Sequence, residues 1–439
     1  MNIPASAQEN ILFFLGNTPQ SSYLNPAHKT DRSKVVIGLP IFSGIYFSIN
    51  NSISVNDFAT LNNGVLTIDL DDLIPKAPQN NYLSENFTLP LFDFQLRLKN
   101  RTFTFGIFEN QLMRSGFDKN LLRIINEGNY PWLGSTISTN FDFNFLHYRE
   151  YALGYSQPFS DKLTFGTRVK LLTGMSTFDV RQMNLGIETG GNMEYLRIHA
   201  TGEYEMSLPL SINYIEGEDS PNNEFDIIDY ITNTSNLGVA LDLGVTYQLL
   251  PALEVSASLI NLGFINWKSN ATTVSHGGSF TWNGFDLSNI ENEREFNEEP
   301  YYNPLESLID SISGIINLRN EPAPFNAGIP TKIYLAAGYE VSKFFSAGLV
   351  DRIMLYDNQV SHALTLSGNL KLGTIFSLSA GYSIIDNSFD NLSLGTALKL
   401  GPFQIYCLTD NILAFNVMNA QNFNIRFGMN FMFGKKIVQ

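Results

Sequence analysis

From Asn422 to Phe433 the chain reads Asn-Phe-Asn-Ile-Arg-Phe-Gly-Met-Asn-Phe-Met-Phe. Every odd-numbered residue is apolar, and every even one except Met432 is polar or glycine. Alternation at period two makes one side of an extended strand greasy and the other wet. About ten such residues cross a bilayer when the strand is tilted. An amphipathic final strand ending in Phe is what the closing strand of an outer-membrane β-barrel requires.

The same pattern recurs along the chain. Phe92, Phe94, Leu96 and Leu98 alternate with Asp93, Gln95, Arg97 and Lys99, and Leu163, Phe165, Val169 and Leu171 with Lys162, Thr164, Arg168 and Lys170. Residues 237–249, 333–341, 364–372, 376–384 and 392–400 repeat it. Soluble β-sandwiches also alternate. Here the alternating runs last about ten to fourteen residues, against roughly five or six in a typical soluble strand. Short turns at Asn100, 157–160, Pro251, Ser342-Lys343, Gly373 and Gly401-Pro402 interleave with long loops around 50–90, 110–141, 211–234 and 268–330. Short turns at one end and long loops at the other belong to transmembrane barrels.

Composition agrees. Hydrophobic residues make up 44% of the chain, yet the mean hydropathy is −0.04, because alternation hides a barrel's membrane signal from any average. No run approaches the roughly 18 apolar residues of a transmembrane helix. Aromatic residues, at 13%, suit a lipid band with interfacial girdles, where Tyr151, Tyr155, Tyr247, Trp267 and Tyr339 are expected as anchors. The expected fold is therefore all-β, a transmembrane antiparallel β-barrel. Direct counting gives about sixteen strands, with one hairpin in 174–210 undecided.

Residues 1–34 do not alternate and read as an N-terminal hatch inside the barrel, residues 35–434 as the barrel, and 435–439 as a short periplasmic tail. Ala5-Ser6-Ala7 before Gln8 has the form of a signal-peptidase site, so residues 1–7 read as the remnant of an export signal. Two loop segments read as short extracellular helices: one at Leu121–Ile125, the other opening at Asn303-Pro304 with Leu305, Leu308, Ile309, Ile312, Ile315 and Ile316 on one face. The second is either a lid on the barrel rim or a wall of a greasy ligand groove.

Catalytic and cofactor readings find no support. His28, His147, His199, His276 and His362 lack metal-ligand spacing, Ser275-His276-Gly277-Gly278 lacks a nucleophile elbow, and Asp69-Leu70-Asp71-Asp72 lacks the glycine and spacing of a calcium loop. The single cysteine, Cys407, excludes an internal disulfide. A net charge of −15 argues against nucleic acid as a partner. The acidic clusters at 216–229 and 291–299 read as solvated loops, the alternative being divalent-cation binding near a lipopolysaccharide surface. Lumen-facing charges have both signs, among them Arg97, Arg168, Lys170, Asp242, Glu254 and Glu340. A selective pore favours one sign in a ring. Mixed signs suit a filled interior whose charges pair.

Asn25-Pro26-Ala27 in the non-strand N-terminal segment, and Ile329-Pro330-Thr331-Lys332-Ile333-Tyr334 leading into a strand, resemble the FadL-type long-chain fatty-acid transporter superfamily. Leu262-Gly263-Phe264-Ile265-Asn266-Trp267, Tyr406-Cys407-Leu408-Thr409-Asp410-Asn411 and the last strand are more similar to an uncharacterised Bacteroidota branch of it. The resemblance implies about fourteen strands plugged by an N-terminal hatch. It also implies Gram-negative outer-membrane location and passive uptake of a fatty-acid-like ligand that leaves sideways through the wall. Phe13, Phe14, Leu308, Ile312 and Ile316 are the expected apolar ligand contacts, and Asn25, Pro26 and Ala27 the hatch motif. The alternative is a sealed scaffold, a non-transporting subunit of a secretion or surface-assembly complex with envelope protein partners.

Overall fold

The computed structural model describes residues 9–28, 33–62, 65–68, 70–209, 227–283, 323–385, 388–415 and 421–434. After two short 3-10 turns, Asn10–Phe13 and Pro19–Tyr23, come β1 (Val35–Gly38) and β2 (Ile45–Asn51). Helix α1 (Val55–Phe58), the hairpin β3 (Ala59–Asn62) and β4 (Val65–Ile68), and α2 (Leu70–Lys76) follow in the first long loop. Then come β5 (Asn80–Leu98), β6 (Arg101–Asp118), α3 (Lys119–Glu127), β7 (Ser135–Pro158), β8 (Leu163–Thr189) and β9 (Leu196–Ser207). They are succeeded by α4 (Ile227–Thr232), β10 (Asn236–Leu250), β11 (Leu253–Trp267), β12 (Ala271–Trp282), β13 (Phe325–Gly328) and β14 (Thr331–Glu340). The chain ends with β15 (Phe345–Tyr356), β16 (Gln359–Leu372), β17 (Phe376–Ile385), β18 (Ser388–Leu400), β19 (Phe403–Thr409) and β20 (Asn422–Phe433).

Eighteen of these strands form one sheet, which closes when β20 pairs with both β1 and β2 and these in turn pair with β5. Closure pairs both sides of the strands in the lower ring, so none of them is left as an edge there. β1 and β2 occupy one place in the ring, end to end, and so do β13 and β14 against β11, which leaves sixteen places. Two of those belong to β9 and β12, which pair with the upper part of β8 and with each other, above β10 and β11. A circuit lower down therefore crosses fourteen strands. The sixteen places match the count of about sixteen from sequence, and the lower circuit matches the fourteen that the resemblance implies, although β12 falls in the stretch 268–330 read from sequence as loop.

Alternation sets the two faces. On β10, Leu237, Val239 and Tyr247 are exposed outward while Ala240, Asp242 and Thr246 are buried inward. Exposed Phe165, Val169, Leu171, Leu262, Phe264, Leu335, Leu366, Tyr382 and Leu392 continue the greasy exterior around the ring. A closed barrel with such a band spans a membrane. Strands β5 to β8, at 19, 18, 24 and 27 residues, run on through much of what reads as loop in the sequence. Register shifts at Pro90/Phe92, Phe141/Phe143, His147/Tyr148 and Arg181/Asn184 break their alternation, so the period-two signal fades where the strands continue. The helix expected at Leu121–Ile125 forms as α3, its N-terminus capped by the Asp118 carboxylate accepting from Leu121 N–H.

One expected anchor sits on the wrong face. Trp267 is fully buried inside the barrel. Asn261, at φ 61°, marks a bulge between the Leu241 and Leu243 registers that shifts alternation by one residue, turning Ile265 and Trp267 inward and leaving Leu262 and Phe264 outside. Tyr247 and Tyr339 do face outward, exposed.

Candidate functional site

Residues 9–28 are held by inward-facing groups from most of the ring. At one end Asn10 Nδ2 donates to Thr365 Oγ1 (3.0 Å), Ile11 N–H to Asp410 Oδ1 (3.3 Å), and Arg426 pairs with Glu9. In the middle, Gln20 and Asn430 exchange two amide bonds of 2.8 and 3.0 Å, and Gln20 Nε2 and Tyr23 Oη both donate to Asp93 Oδ2 (3.1 and 2.6 Å). Towards the other end Ser258 Oγ donates to Leu24 O (2.5 Å) and Asn25 Nδ2 to Val245 O (3.3 Å).

Glycines make room for this segment. Gly166 and Gly244 lie directly opposite each other on β8 and β10, and a Cβ on either would fall 2.1–2.8 Å from atoms of Asn25, Pro26 or Ala27. The Asn-Pro-Ala motif thus rests on bare backbone, with Asn25 Oδ1 accepting from Ala27 N–H (2.9 Å) in a local turn. The apolar run 11–15 uses another cradle: Phe14 lies on Gly348, Ile11 beside Gly381 and Leu15 beside Gly395. Phe13, buried, packs edge-on to His28 and near Tyr334. Of the expected ligand contacts, Phe13 and Phe14 are therefore packed against the wall, and Leu308, Ile312 and Ile316 lie outside the described residues. So do nearly all residues of the two acidic clusters.

Three of the six expected lumen charges come together. Asp242 takes Lys170 at 2.9 Å and Arg168 at 3.4 Å, and its other oxygen accepts from Asn261 N–H at 2.7 Å. Glu150, absent from the expected set, joins through Lys170 at 3.2 Å. Two cations face two carboxylates, and Arg168 Nη2 also reaches Ser22 O in the N-terminal segment (3.1 Å). Arg97 and Glu254 are half-buried, whereas Glu340 is exposed at the end of β14.

A second, apolar layer stands apart from the N-terminal segment. Leu112, Leu146, Leu172, Ile265, Trp267, Phe325, Ile329 and Tyr356 form one buried cluster. The interior of a membrane barrel is ordinarily polar, so an apolar patch there is a feature to explain. Its one orphaned polar atom is Trp267 Nε1, buried with no acceptor among the described residues. The tip of the β15–β16 hairpin closes over it: Tyr356 Oη donates to Asn144 Oδ1 (2.7 Å) and stacks beneath Arg114, 5.6 Å from the ring centre. Beside this contact Asp142, Asp179 and Asp357 line a cavity of about 20 Å³. Two further cavities of about 10 Å³ lie between the N-terminal segment and strands β5 to β8.

Among the described residues the wall is broken at mid-strand between β1 and β2. There Leu39 to Gly44 bulge outward opposite the register shift at Pro90. Ile41 N–H donates to Pro90 O and Met429 N–H to Phe42 O, so the ladder is bridged rather than continuous. Ile41 has φ 70°, a left-handed conformation costly for a β-branched residue. The bulge is tied inward, with Tyr406 Oη donating to Ser43 O (3.0 Å) and Arg426 Nη1 to Gly44 O (2.8 Å).

The family model described as "Family of unknown function (DUF5723)" matches residues 26–410. The chain belongs to that family. No curated protein matches its sequence. Among solved structures, the DUF5723 chain is similar to the toluene transporter TbuX of Ralstonia pickettii (9% identity, 96% of this chain and 95% of that one, TM-score 0.41). It is also similar to a FadL homologue of Pseudomonas aeruginosa (10% identity, 99% and 100%, TM-score 0.41) and to the monoaromatic hydrocarbon channel CymD (11% identity, 97% and 99%, TM-score 0.41). Sequence reasoning on this DUF5723 chain misses the Trp267 layer because a bulge reverses the parity, and misses Glu150 because neighbouring Arg149 and Tyr151 mask its alternation.

Proposed function

We propose that the protein is a non-enzymatic barrel of the Gram-negative outer membrane that passes hydrophobic small molecules inward, its lumen plugged at rest by residues 9–28. The observation that carries this reading is the apolar layer around Trp267 and Leu146 inside a barrel, where a polar-solute pore has no use for one. A ligand entering there leaves water for side chains worth roughly 25 cal/mol per Å² of apolar area buried. The run Ile11–Leu15, on its cradle of glycines, is the displaceable element below, and the Leu39–Gly44 bulge is the sideways exit. Arg426 links the two, holding Glu9 on one side and Gly44 O on the other. The test is extraction of the barrel from its own membrane followed by native mass spectrometry and solvent extraction. Bound lipid or hydrocarbon, lost in Leu146→Asp, is the expected result. Protein without apolar ligand, together with unimpaired hydrocarbon uptake by cells carrying Leu146→Asp, refutes it.

A second reading is favoured by the cavities, each only about 10–20 Å³ and so water-sized. In that reading the barrel is a sealed scaffold of an envelope complex. It predicts a protein partner at fixed stoichiometry in the same native spectra and no ligand release when residues 9–28 are loosened.

A further inference from the structure

We propose that the outer face of β15 and β16 is a membrane-embedded contact between two copies of this chain, centred on the pair Asp351–His362. His362 Nε2 lies 2.7 Å from Asp351 Oδ1, with the two side chains 52% and 27% exposed. Both point outward, because Val350, Arg352 and Ala363, their chain neighbours, are buried inward. Their surroundings are the lipid band: Leu335, Leu349, Leu355, Val360 and Leu366 are all exposed around them. In register, Asp351 stands between Leu335 and Leu364.

An ionisable pair in that setting is costly. Acyl chains offer it no hydrogen bonds, and intramembrane ionisable residues as a rule face protein or water. Another outward ionic group shows the usual remedy. Glu109, His147 and Arg149 also face out, yet they are only 15–19% exposed, and Tyr230 of α4 lies over them with its hydroxyl 2.5 Å from His147 Nδ1. The Asp351–His362 pair is left far more open.

Charge complementarity selects the occupant. Acid and base sit side by side on adjacent strands, so a twofold axis along the membrane normal passing between them sets Asp351 against His362 of the second copy and His362 against its Asp351. Such self-complementarity is what an isologous interface requires. Ala347, Gly368 and Ala380 follow in one register row across β15, β16 and β17. Small outward residues let two walls approach closely, as they do between membrane helices. A foreign protein would need its own matching dyad.

The test uses full-length protein in isolated outer membranes. Cys407 is replaced by Ala, and one cysteine is placed at Leu364, beside the pair, or at Leu241 on β10 as a control. Oxidative cross-linking followed by a non-reducing gel is expected to give a dimer of this chain from Leu364→Cys, at least about tenfold above Leu241→Cys. Asp351→Leu with His362→Leu should lower it roughly tenfold, the scale of interhelical polar contacts in membranes, while Asp351→His with His362→Asp, which keeps the pair, should restore it. A monomer from Leu364→Cys overturns the proposal, and so does a cross-link to a different protein or a dimer unaffected by removing the pair. Should a double variant fail to assemble, the comparison of Leu364→Cys with Leu241→Cys decides alone.

Discussion

Gly166→Ala is the smallest change that should pry the N-terminal segment from the wall. A Cβ at Gly166 would sit 2.3 Å from Pro26 C, 2.4 Å from Pro26 O and 2.5 Å from Ala27 N. All three are backbone atoms, so no rotamer relieves the clash, and the segment must move by about 1 Å to reach ordinary contact. That movement strains Asn25 Nδ2 to Val245 O, Ser258 Oγ to Leu24 O, and Arg168 Nη2 to Ser22 O. Two neutral bonds at about 1 kcal/mol and one to a guanidinium at about 1.5–3 kcal/mol give a loss of about 3–5 kcal/mol. Hydrogen exchange in detergent or nanodiscs reads this directly. At about 1.4 kcal/mol per decade, amides of residues 18–28 should exchange at least about a hundredfold faster while β8 and β10 stay protected. Gly186→Ala, whose Cβ would find nothing nearer than 3.7 Å, serves as the control and should change nothing. Unchanged exchange in 18–28 would refute the reasoning. So would loss of protection in β8 and β10 instead, which would mean that the wall yields before the segment does.

Arg426→Met leaves Glu9 buried without its cation and should cost about 3–5 kcal/mol, seen as a lower unfolding temperature, with Glu9→Gln added in the same chain recovering most of it. Trp267→Ala should cost about 3–5 kcal/mol for the lost packing, whereas Trp267→Phe should be close to neutral, because it also removes an orphaned N–H; chemical denaturation of the two variants separates packing from hydrogen bonding. Burial, and secondarily Asp179, raises the Asp357 carboxyl above its ordinary range. An acid whose pKa is raised in the docked state favours docking below its free value, about 4, and loses that contribution as pH climbs through the raised one. Hydrogen exchange of residues 354–361 should therefore quicken with rising pH across that window beyond the intrinsic base catalysis, and Asp357→Asn should remove the excess.

The ring was legible from the sequence because membrane strands obey one rule for their whole length. β10 has no break between Leu237 and Tyr247 on its paired side with β8, and its faces can be read residue by residue. Where a bulge intervenes the rule inverts silently. Asn261 is the telling case, since nothing in the string Leu259-Ile260-Asn261-Leu262 announces a positive φ. Asparagine tolerates that conformation better than most residues, but asparagines are too frequent for the identity to signal it. The number of strands was legible but not their arrangement: β9 and β12, far apart in sequence, pair with each other above β10 and β11, and such stacking leaves no local trace. Candidate site residues were legible as types and not as partners. Arg168, Lys170 and Asp242 could be assigned to the lumen by parity, but their meeting depends on β8 and β10 being neighbours.

The vertical order of the lumen constrains how any cargo could pass. An apolar molecule resting near Trp267 would next meet Lys170, Arg168, Asp242 and Glu150, two cations and two carboxylates already paired. Hydrocarbon cannot repay the hydrogen bonds of such a layer, so a straight descent along the axis would leave charges exposed to an apolar guest. The route that avoids this cost turns aside on the flank lined by small residues, where Ser367, Ser377 and Ser379 are buried and Gly381 lies beside Ile11. Displacing Ile11 to Leu15 would open that flank without parting any of the four charges, because none of the salt bridges in the layer involves those residues. The ion layer then acts as a fixed partition and the apolar run as the movable part. A variant that removes the central ion pair of the partition while keeping its volume, Asp242→Asn with Lys170→Met, should accordingly change stability without changing uptake of an apolar probe. Restraining the run by a disulfide between Leu15→Cys and Gly395→Cys should abolish uptake with the barrel still folded. If the first variant blocks uptake and the second does not, the cargo goes through the charges, and the assignment of fixed and movable parts is reversed.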